Sequence, residues 1–357
     1  MSSVSSPLYD IHKTFEENFS NPPFSSIIPP SRQFSPKNNW IRFLDYSIAS
    51  RIGAAPCPVT TGKGIALLAR LGFDILTYKT IRRRAYPCHS LPNIVYLDKD
   101  TVLSETDLKK PLHARANPVS AEKIAISNSF GNGSLEPETL VNDITFAKSA
   151  LLEGQILIVS VYGEGGTLED TATEFAETAL FAKQAGADVI ELNFSCPNLL
   201  KKGDPIYWDT EAVYKIISCV VNRIDNFPVL VKLGLLPEAY SLSKILEAIT
   251  RAGARGISAI NSISMRVIDQ AQQPAFGERI FSGVSGNPIR SLALQFIKKI
   301  VHINHEKKLD LVIIGIGGIT LPLHFDEFLN AGADVALVAT GMMWNPYLAF
   351  QYHQQQS

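Results

Sequence analysis

The chain has 357 residues, of which 46% are hydrophobic and 19% charged, so it is long enough to bury a large core. Its 33 Lys and Arg and 34 Asp and Glu nearly cancel to a formal net charge of −1, which gives no electrostatic reason to expect nucleic acid or an anionic membrane as partner. Four scattered cysteines without a CxxC pair disfavour a disulfide framework or a metal site. No signal-peptide pattern opens the chain and no apolar run approaches the about 20 residues of a membrane span, so we expect a soluble cytoplasmic protein.

Residues 1–45 predict an irregular N-terminal arm rather than a domain. Residues 8–19 favour one short amphipathic helix, and the prolines at 22, 23, 29 and 30 then exclude regular structure. The arm has no continuous apolar face of the kind that docks a helix pair on a membrane. The pattern leaves open whether it packs against the rest of the chain or is a poorly ordered terminus.

From residue 46 to residue 357 the chain alternates strands with helices. The predicted strands are 46–55, 73–79, 155–161, 188–193, 228–233, 256–261, 311–316 and 335–339. The predicted helices are 62–71, 136–153, 168–185, 210–226, 237–252, 288–304, 322–331 and a last one that ends near residue 352. Each strand is a near-continuous apolar run, which is typical of a parallel sheet covered by helices. The pattern predicts an α/β fold closed as a (β/α)₈ TIM barrel, with an open doubly wound sheet as the alternative.

Polar and glycine-rich segments follow the ends of these strands. In a barrel, that end of the strands is the face on which enzymes build their active sites. The segments are Lys79, residues 193–198, Lys232, Asn261 with Ser262, residues 315–318 and residues 339–341. Their convergence predicts one active site, because features without a common function would be scattered over both ends.

Two glycine-containing loops predict a phosphate site. Residues 315–318 follow the seventh strand and residues 339–341 the eighth, where barrels bind phosphate with backbone N–H groups. A plain tight turn is the alternative for either loop alone. Residues 282–286 precede a helix opened by Pro288 and add backbone donors or a flap. No GxGxxG follows the first strand, so the nicotinamide fingerprint is absent.

Lysines, carboxamides and a thiol at the strand ends suggest the chemistry of the site. Lys232 ends an apolar strand, where an unpaired charge is costly, so we expect it to meet an anion or a polarised carbonyl. Lys79 invites the same argument, although either lysine could instead extend its ammonium to solvent. Asn193 and Asn198 flank Cys196, and carboxamides can read the edge of a flat ligand that carries C=O and N–H groups. The thiol is a candidate general base or nucleophile, or a small buried residue in a turn.

Taken together, these residues favour a flavin with a flat, amide-rich substrate. Asn128 adds another carboxamide, unless residues 128–133 are only an Asn/Gly-rich loop. The chain has no metal-ligand spacing and no GxSxG elbow, which disfavours a metal mechanism and a Ser-His-Asp hydrolase.

At these residues the sequence resembles the dihydroorotate dehydrogenase family, FMN enzymes of pyrimidine synthesis, over roughly residues 46–350. Residues 191–198 resemble the family signature ELN-x-S-C/S-P-N, with cysteine as in the class 1 enzymes. The resemblance implies that Cys196 is the catalytic base and that Lys232 lies near the N1–C2=O edge of the flavin. It implies these substrate-binding residues: Lys79, Asn128, Phe130, Gly131, Asn193, Asn198, Asn261 and Ser262. It implies these FMN contacts: Ala54, Ala55, Lys79, Lys232, Gly286, Gly317, Gly318, Ala339 and Thr340.

The implied activity is the oxidation of (S)-dihydroorotate to orotate in pyrimidine biosynthesis. Cys196 would remove the C5 proton while a hydride leaves C6 for flavin N5. The implied partners are the small-molecule substrate, fumarate or a separate iron–sulfur subunit as electron acceptor, and a second copy of the chain in a homodimer.

Two other functions remain open from the sequence. One is a dihydropyrimidine dehydrogenase-like activity on uracil or thymine, although that family tends to have His where Asn198 stands. The other is a non-catalytic FMN-binding barrel, which departures from the family pattern at residues 132–134 and 199–203 leave open.

Overall fold

The structure, a computed structural model, describes residues 5–32, 36–195 and 204–356. Its strands are β1 (Ile41–Phe43), β2 (Tyr46–Ile48), β3 (Ile52–Ala54), β4 (Ile75–Ile81), β5 (Ile94–Leu97), β6 (Leu112–Arg115), β7 (Ala125–Asn128), β8 (Ile156–Val161), β9 (Val189–Asn193), β10 (Val229–Leu233), β11 (Gly256–Ala259), β12 (Ile263–Ile268), β13 (Phe281–Gly286), β14 (Val312–Ile316) and β15 (Val335–Val338). Its helices are α1 (Phe15–Ser20), α2 (Gly62–Arg70), α3 (Pro137–Ser149), α4 (Leu168–Gln184), α5 (Thr210–Arg223), α6 (Leu242–Arg251), α7 (Arg290–Lys307), α8 (Leu323–Asn330), α9 (Thr340–Trp344) and α10 (Leu348–Gln356).

Eight parallel strands close into a ring in the order β3, β4, β8, β9, β10, β11, β14 and β15. The ring closes where β15 pairs with β3, with Val338 opposite Ala54. Ring order follows chain order, which is how consecutive βα units build a barrel. The predicted (β/α)₈ barrel is therefore confirmed, and the open sheet is excluded.

The barrel interior is apolar at the N-terminal ends of its strands. Ile75, Ile156, Val189 and Leu230 belong to one buried cluster there. Because successive side chains of a strand alternate between its two faces, the residues between them pack outward against the helices. The antiparallel hairpin β1–β2 closes the barrel at the N-terminal ends of its strands. It adds the apolar side chains of Phe43, Leu44 and Ile48 to this cluster.

Five further strands form a second closed sheet, in the order β12, β13, β7, β5 and β6. They come from the segment between β4 and β8 and from the insert after β11. The sequence pattern predicts no strand in the first of these segments, between residues 79 and 155. Its three strands have four residues each and are separated by prolines and charged residues, so no periodic run is long enough to reveal them.

Several predicted elements have other bounds in the structure. Helix 237–252 begins only at Leu242, and the last helix, predicted as one, is divided into α9 and α10. The predicted strand 46–55 is divided into β2 and β3, because Ala49 leaves the hairpin to donate its N–H to Gly154 and Ser50 turns its hydroxyl to Asp74. The predicted helix 8–19 begins only at Phe15, after Thr14 forms a capping box with Glu17.

The arm packs against the barrel near both ends of its described residues 5–32. Leu8, Tyr9 and Phe15 are buried, and the first two belong to the main core cluster. At the far end of this segment, Arg32 forms a bidentate ion pair with the buried carboxylate of Asp74. Of the two possibilities that the sequence left open for the arm, the structure shows packing for these residues.

Candidate active site

The interior of the barrel becomes polar towards the C-terminal ends of the strands, which we call the mouth. On β9, the inward positions run from Val189 through Glu191 to Asn193, and on β10 Lys232 follows Leu230. Neighbouring strands add polar residues to the same level, namely Thr77, Ser160 and Ser258. A core that is apolar at one end and polar at the other places ligand chemistry at the mouth.

Side-chain amides and hydroxyls form one network at the mouth. Asn193 donates to Thr80 Oγ1 at 3.1 Å and accepts from Ser195 at 2.7 Å. Asn261 donates to the same Oδ1 of Asn193 at 3.4 Å and to Ser195. Thr80 in turn shares a hydrogen bond of 3.0 Å with Ser160. The two carboxamides therefore hold each other in fixed orientations, which pre-organises them for a ligand.

Lys232 is buried in the centre of this region, with 3% of its surface exposed. Within the described residues its ammonium has no hydrogen bond or ion pair, and burial lowers the pKa of Lys232 while the carboxylate of Glu191 partly opposes that shift. Glu191 accepts from Ser258 through one oxygen, and its other oxygen is buried without a partner among the described residues. A buried cation with no hydrogen-bond or ion-pair partner in the described part of the chain is suited to an electron-rich ligand.

Two cavities adjoin at the mouth, of about 750 Å³ and about 610 Å³. Both are lined by Pro56, Cys57, Pro58, Asn128, Phe130, Lys232 and Asn261. The larger cavity continues to the loops after β13, β14 and β15, and the smaller continues to Lys79, Asn132 and Asn193. None of the described residues that line either cavity is acidic, so both ends favour a ligand with negative charge.

The end of the larger cavity is built from glycine-containing backbone. Gly317 and Gly318 follow β14 with φ of 135° and 75°, and Gly286 ends β13 with φ of 87°. A Cβ on Gly286 would lie 2.1 Å from the carbonyl oxygen of Ile124, so that loop can pass its neighbour only as glycine. Beside them, the hydroxyl of Thr340 donates to Ser285 at 3.1 Å. Backbone amides and hydroxyls of this kind suit a phosphate.

The second sheet positions Asn128 over the barrel. Asn128 ends β7, lies opposite Gly283 of β13, and donates its amide to the Gly283 carbonyl at 3.1 Å. Arg279 holds the adjoining loop by donating to the carbonyls of Ser129 at 2.9 Å and Ser90 at 2.9 Å. The amide of Asn128 thus reaches the same cavities as Lys232 and Asn261, although it comes from a different sheet.

Most of the residues expected at the site line one or both cavities. These are Ala55, Lys79, Asn128, Phe130, Asn193, Lys232, Asn261, Ser262, Gly286, Gly317, Gly318, Ala339 and Thr340. Ala54 is buried in β3 and Gly131 packs against the ring of His89, and neither is among the lining residues. Cys196 and Asn198 lie outside the described residues.

The family model for dihydroorotate dehydrogenase matches residues 49–355 of this chain. The chain belongs to the dihydroorotate dehydrogenase family. That family is one of oxidoreductase enzymes, and its matched region includes all of the barrel strands described above.

Three relatives illustrate the range of this similarity. A dihydroorotate dehydrogenase of Dictyostelium discoideum is 37% identical over 98% of this chain and 97% of its own length. The catalytic subunit of dihydroorotate dehydrogenase B (NAD(+)) of Pyrococcus furiosus is 36% identical over 55% of this chain and 60% of its own length. The NAD-dependent dihydropyrimidine dehydrogenase subunit PreA of Escherichia coli K12 is 34% identical over 54% of this chain and 46% of its own length.

Several residues at the site were not predicted from the sequence. Glu191 was read only as part of a signature, although period-2 alternation along its strand already places it on the inward face with Asn193. Tyr9 and Phe15 of the arm had no local signal at all, because their contacts are with residues far along the chain.

In the described ranges, no helix has the length and apolarity to cross a membrane, and no cluster of three or more His, Cys, Asp or Glu has metal-site geometry.

Proposed function

We propose that this protein catalyses the FMN-dependent oxidation of (S)-dihydroorotate to orotate, a step of de novo pyrimidine biosynthesis. The observation that supports this most directly is the arrangement of two adjoining cavities around Lys232. One ends at glycine-containing loops suited to a phosphate, and the other ends at Lys79 among carboxamides. Membership of the dihydroorotate dehydrogenase family supports the same substrate.

The residues present fit FMN. The backbone of Gly286, Gly317 and Gly318, with Ala339 and Thr340, would hold the phosphate, and the close approach of Gly286 to Ile124 leaves no room for a side chain there. Ala55 would lie against the ring, and Lys232 would meet its electron-rich edge. When bound, FMN supplies the hydride acceptor for C6 of the substrate.

The chain's own side chains would bind and orient the substrate. Asn128, Asn193 and Asn261 offer donors and acceptors to the flat ring, and the Lys79 ammonium offers a charge to its carboxylate. Asn198 and Ser262 would complete this set. Lys232 would stabilise negative charge that develops at the ligand edge beside it, because a fixed cation in a buried site needs no reorganisation.

Cys196 would act as the general base that takes the C5 proton of dihydroorotate. Its neighbour Ser195 lies in the hydrogen-bonded network of Asn193 and Asn261, which supports a position near the substrate. A free thiol has a pKa of about 8.5, so the base would be ionised to a few per cent at pH 7.

We also propose the electron acceptor and the assembly. Electrons would pass to fumarate in the same site, or to NAD through a separate iron–sulfur subunit. The P. furiosus relative is a catalytic subunit of an NAD(+) enzyme, which supports the second route. We propose a cytoplasmic homodimer, by analogy with the family.

A dihydropyrimidine dehydrogenase-like activity is the second candidate, because the E. coli relative of that name is 34% identical. Free uracil and thymine have no carboxylate, whereas the cavity at Lys79 has a cation and no acidic lining residue among those described. This charge favours dihydroorotate.

Anaerobic reduction of the bound flavin tests these proposals. We expect dihydroorotate to bleach the visible absorbance of the oxidised flavin, and dihydrouracil to leave it unchanged. Bleaching by dihydrouracil alone would favour the second candidate. A yellow protein that neither compound reduces would support a non-catalytic flavin-binding barrel, and a colourless one would contradict FMN binding.

A further inference from the structure

The N-terminal arm reaches the mouth of the barrel and is anchored beside the cavities. The hydroxyl of Ser6 donates to the carbonyl of Met343 at 2.6 Å, and Met343 lines the larger cavity. The same hydroxyl accepts the backbone N–H groups of Leu8 at 3.3 Å and Tyr9 at 3.2 Å. We call residues 6–15 the arm segment; its first turn is therefore fixed to α9.

Tyr9 connects the arm segment to the wall of both cavities. Its side chain is 2% exposed, and its ring meets the ring of Phe130 edge to face, with 6.0 Å between centroids and 78° between planes. Phe130 lines the larger and the smaller cavity. The arm segment thus supports an aromatic side chain that faces the substrate end of the site.

Phe15 connects the arm segment to the lysine of the smaller cavity. Lys79 Nζ lies 4.7 Å from the centroid of the Phe15 ring, and Phe15 is 2% exposed. The same ammonium donates to the carbonyl of Gly133 and, at 3.3 Å, to that of Thr80. A ring face attracts a cation most strongly where water is excluded, so Phe15 restricts the directions that the ammonium can take.

The position of Phe15 is itself rigidly determined. Thr14 caps α1, with Glu17 closing the capping box. Asn18 is buried and donates to the carbonyls of Asp10 at 2.9 Å and Thr14 at 2.9 Å, while it accepts the N–H of Asp10 at 2.8 Å. These bonds tie the turn before α1 to the helix, so the Phe15 ring is held in one place.

We propose that the arm segment is the outer wall of the substrate end of the active site, and that Phe15 is a positioning residue that aims the Lys79 ammonium at the substrate carboxylate. This proposal rests on the proposed function, since it assigns the carboxylate to an orotate-like ligand. The carboxylate is the same before and after the oxidation, so Phe15 contributes equally to ground-state and transition-state binding. Its loss should therefore raise KM and leave kcat unchanged.

The test compares Phe15→Leu with Phe19→Leu in the flavin-loaded enzyme. Phe19 lies on the same short helix, with its ring 6.3 Å from that of Phe15, so its replacement is a matched control that leaves the ring beneath Lys79 in place. For Phe15→Leu we expect the Kd of orotate and the KM of dihydroorotate to rise roughly 3- to 30-fold. We expect kcat and the flavin Kd to remain within about twofold of wild type, and Phe19→Leu to match wild type throughout.

A labelling experiment tests the contact between the Phe15 ring and the Lys79 ammonium without any substrate. Acetic anhydride should modify Lys79 faster in Phe15→Leu than in wild type or Phe19→Leu, as followed by peptide mass spectrometry. Phe15→Met, of similar volume and without a ring, provides a second variant if Phe15→Leu does not fold. Unchanged labelling of Lys79, or equal loss of orotate affinity in Phe19→Leu, would overturn the role of Phe15. A wild-type enzyme that binds no orotate would instead overturn the proposed function, and with it the assignment of the carboxylate.

Discussion

Asn261 donates a side-chain hydrogen bond to Asn193 at 3.4 Å, although 68 residues separate them in the sequence. Asn193 ends β9 and Asn261 follows β11, with Lys232 of β10 between them. Closure of the barrel brings the ends of these strands to one rim, so the two amides and the ammonium share the cavity at the mouth.

Asn261→Ala should weaken substrate binding. The change removes a side-chain amide that would hydrogen-bond the ligand, and it leaves Asn193 with one donor fewer. A lost hydrogen bond of this kind costs about 1–3 kcal/mol. We expect KM for dihydroorotate to rise about 5- to 100-fold with the flavin still bound. Steady-state kinetics and the flavin absorbance check this. Asn222, exposed on α5, offers the control Asn222→Ala, and an equal effect there would contradict a specific role for Asn261.

The rate should fall on the alkaline side as Lys232 loses its proton. Burial lowers the pKa of Lys232, so its ammonium deprotonates at a lower pH than an exposed lysine, whose pKa is about 10.4. Glu191 opposes this shift, so Glu191→Gln should move the alkaline limb of the kcat profile to lower pH. Ser258→Ala, which removes only the hydrogen bond to Glu191, is the control. An alkaline limb that Glu191→Gln leaves in place would argue against this coupling.

Cys196→Ala should keep the flavin and lose most of the turnover. General bases contribute about 10²- to 10⁴-fold to a rate, and alanine has no proton acceptor. Cys196→Ser should retain some activity at high pH, and the wild-type rate should rise with pH until the thiol ionises. Cys219, half-buried on α5, provides the control Cys219→Ala. Normal turnover by Cys196→Ala would show that another group is the base.

Gly286→Ala should reduce flavin binding and stability together. Its Cβ would lie 2.1 Å from the Ile124 carbonyl oxygen, at a φ of 87° that alanine rarely adopts. Gly277 also has a positive φ, of 67°, but a Cβ there meets nothing within 4 Å. Gly277→Ala should therefore cost only about 1 kcal/mol. Thermal melts and flavin retention on a desalting column separate the two effects, and equal melting temperatures for both variants would exclude the steric argument.

Arg32→Ala should strongly destabilise the fold, because it removes the ion pair that joins the arm to Asp74. Arg32 Nη1 and Nη2 lie 2.5 and 2.7 Å from the carboxylate oxygens of Asp74, whose side chain is fully buried. Removing one partner of a buried pair leaves the other charge uncompensated and costs about 3 kcal/mol or more, here moderated by Ser50 and Gln155, which also donate to Asp74. Urea unfolding measures this loss.

The exposed ion pair of Lys37 with Glu153 is the matched control. Both side chains are in water, so Lys37→Ala should change the free energy of unfolding by less than about 1 kcal/mol. A similar loss from both variants would mean that burial of the Asp74 pair adds nothing.

The order of strands and helices, and the lysine inside an apolar strand, follow from the sequence because both are local. Near-continuous apolar strands and helical runs with glycine ends are visible in a few consecutive residues, and they predicted the barrel and the rim on which Lys79, Lys232, Asn193 and Asn261 meet. The tertiary structure alone placed Asn128 over the barrel, since its strand β7 has only four residues, too few to show a period. It alone also placed the ring of Phe15 against Lys79, because a contact between distant segments depends on how the closed barrel and the arm pack, and no neighbouring residue in the chain encodes it.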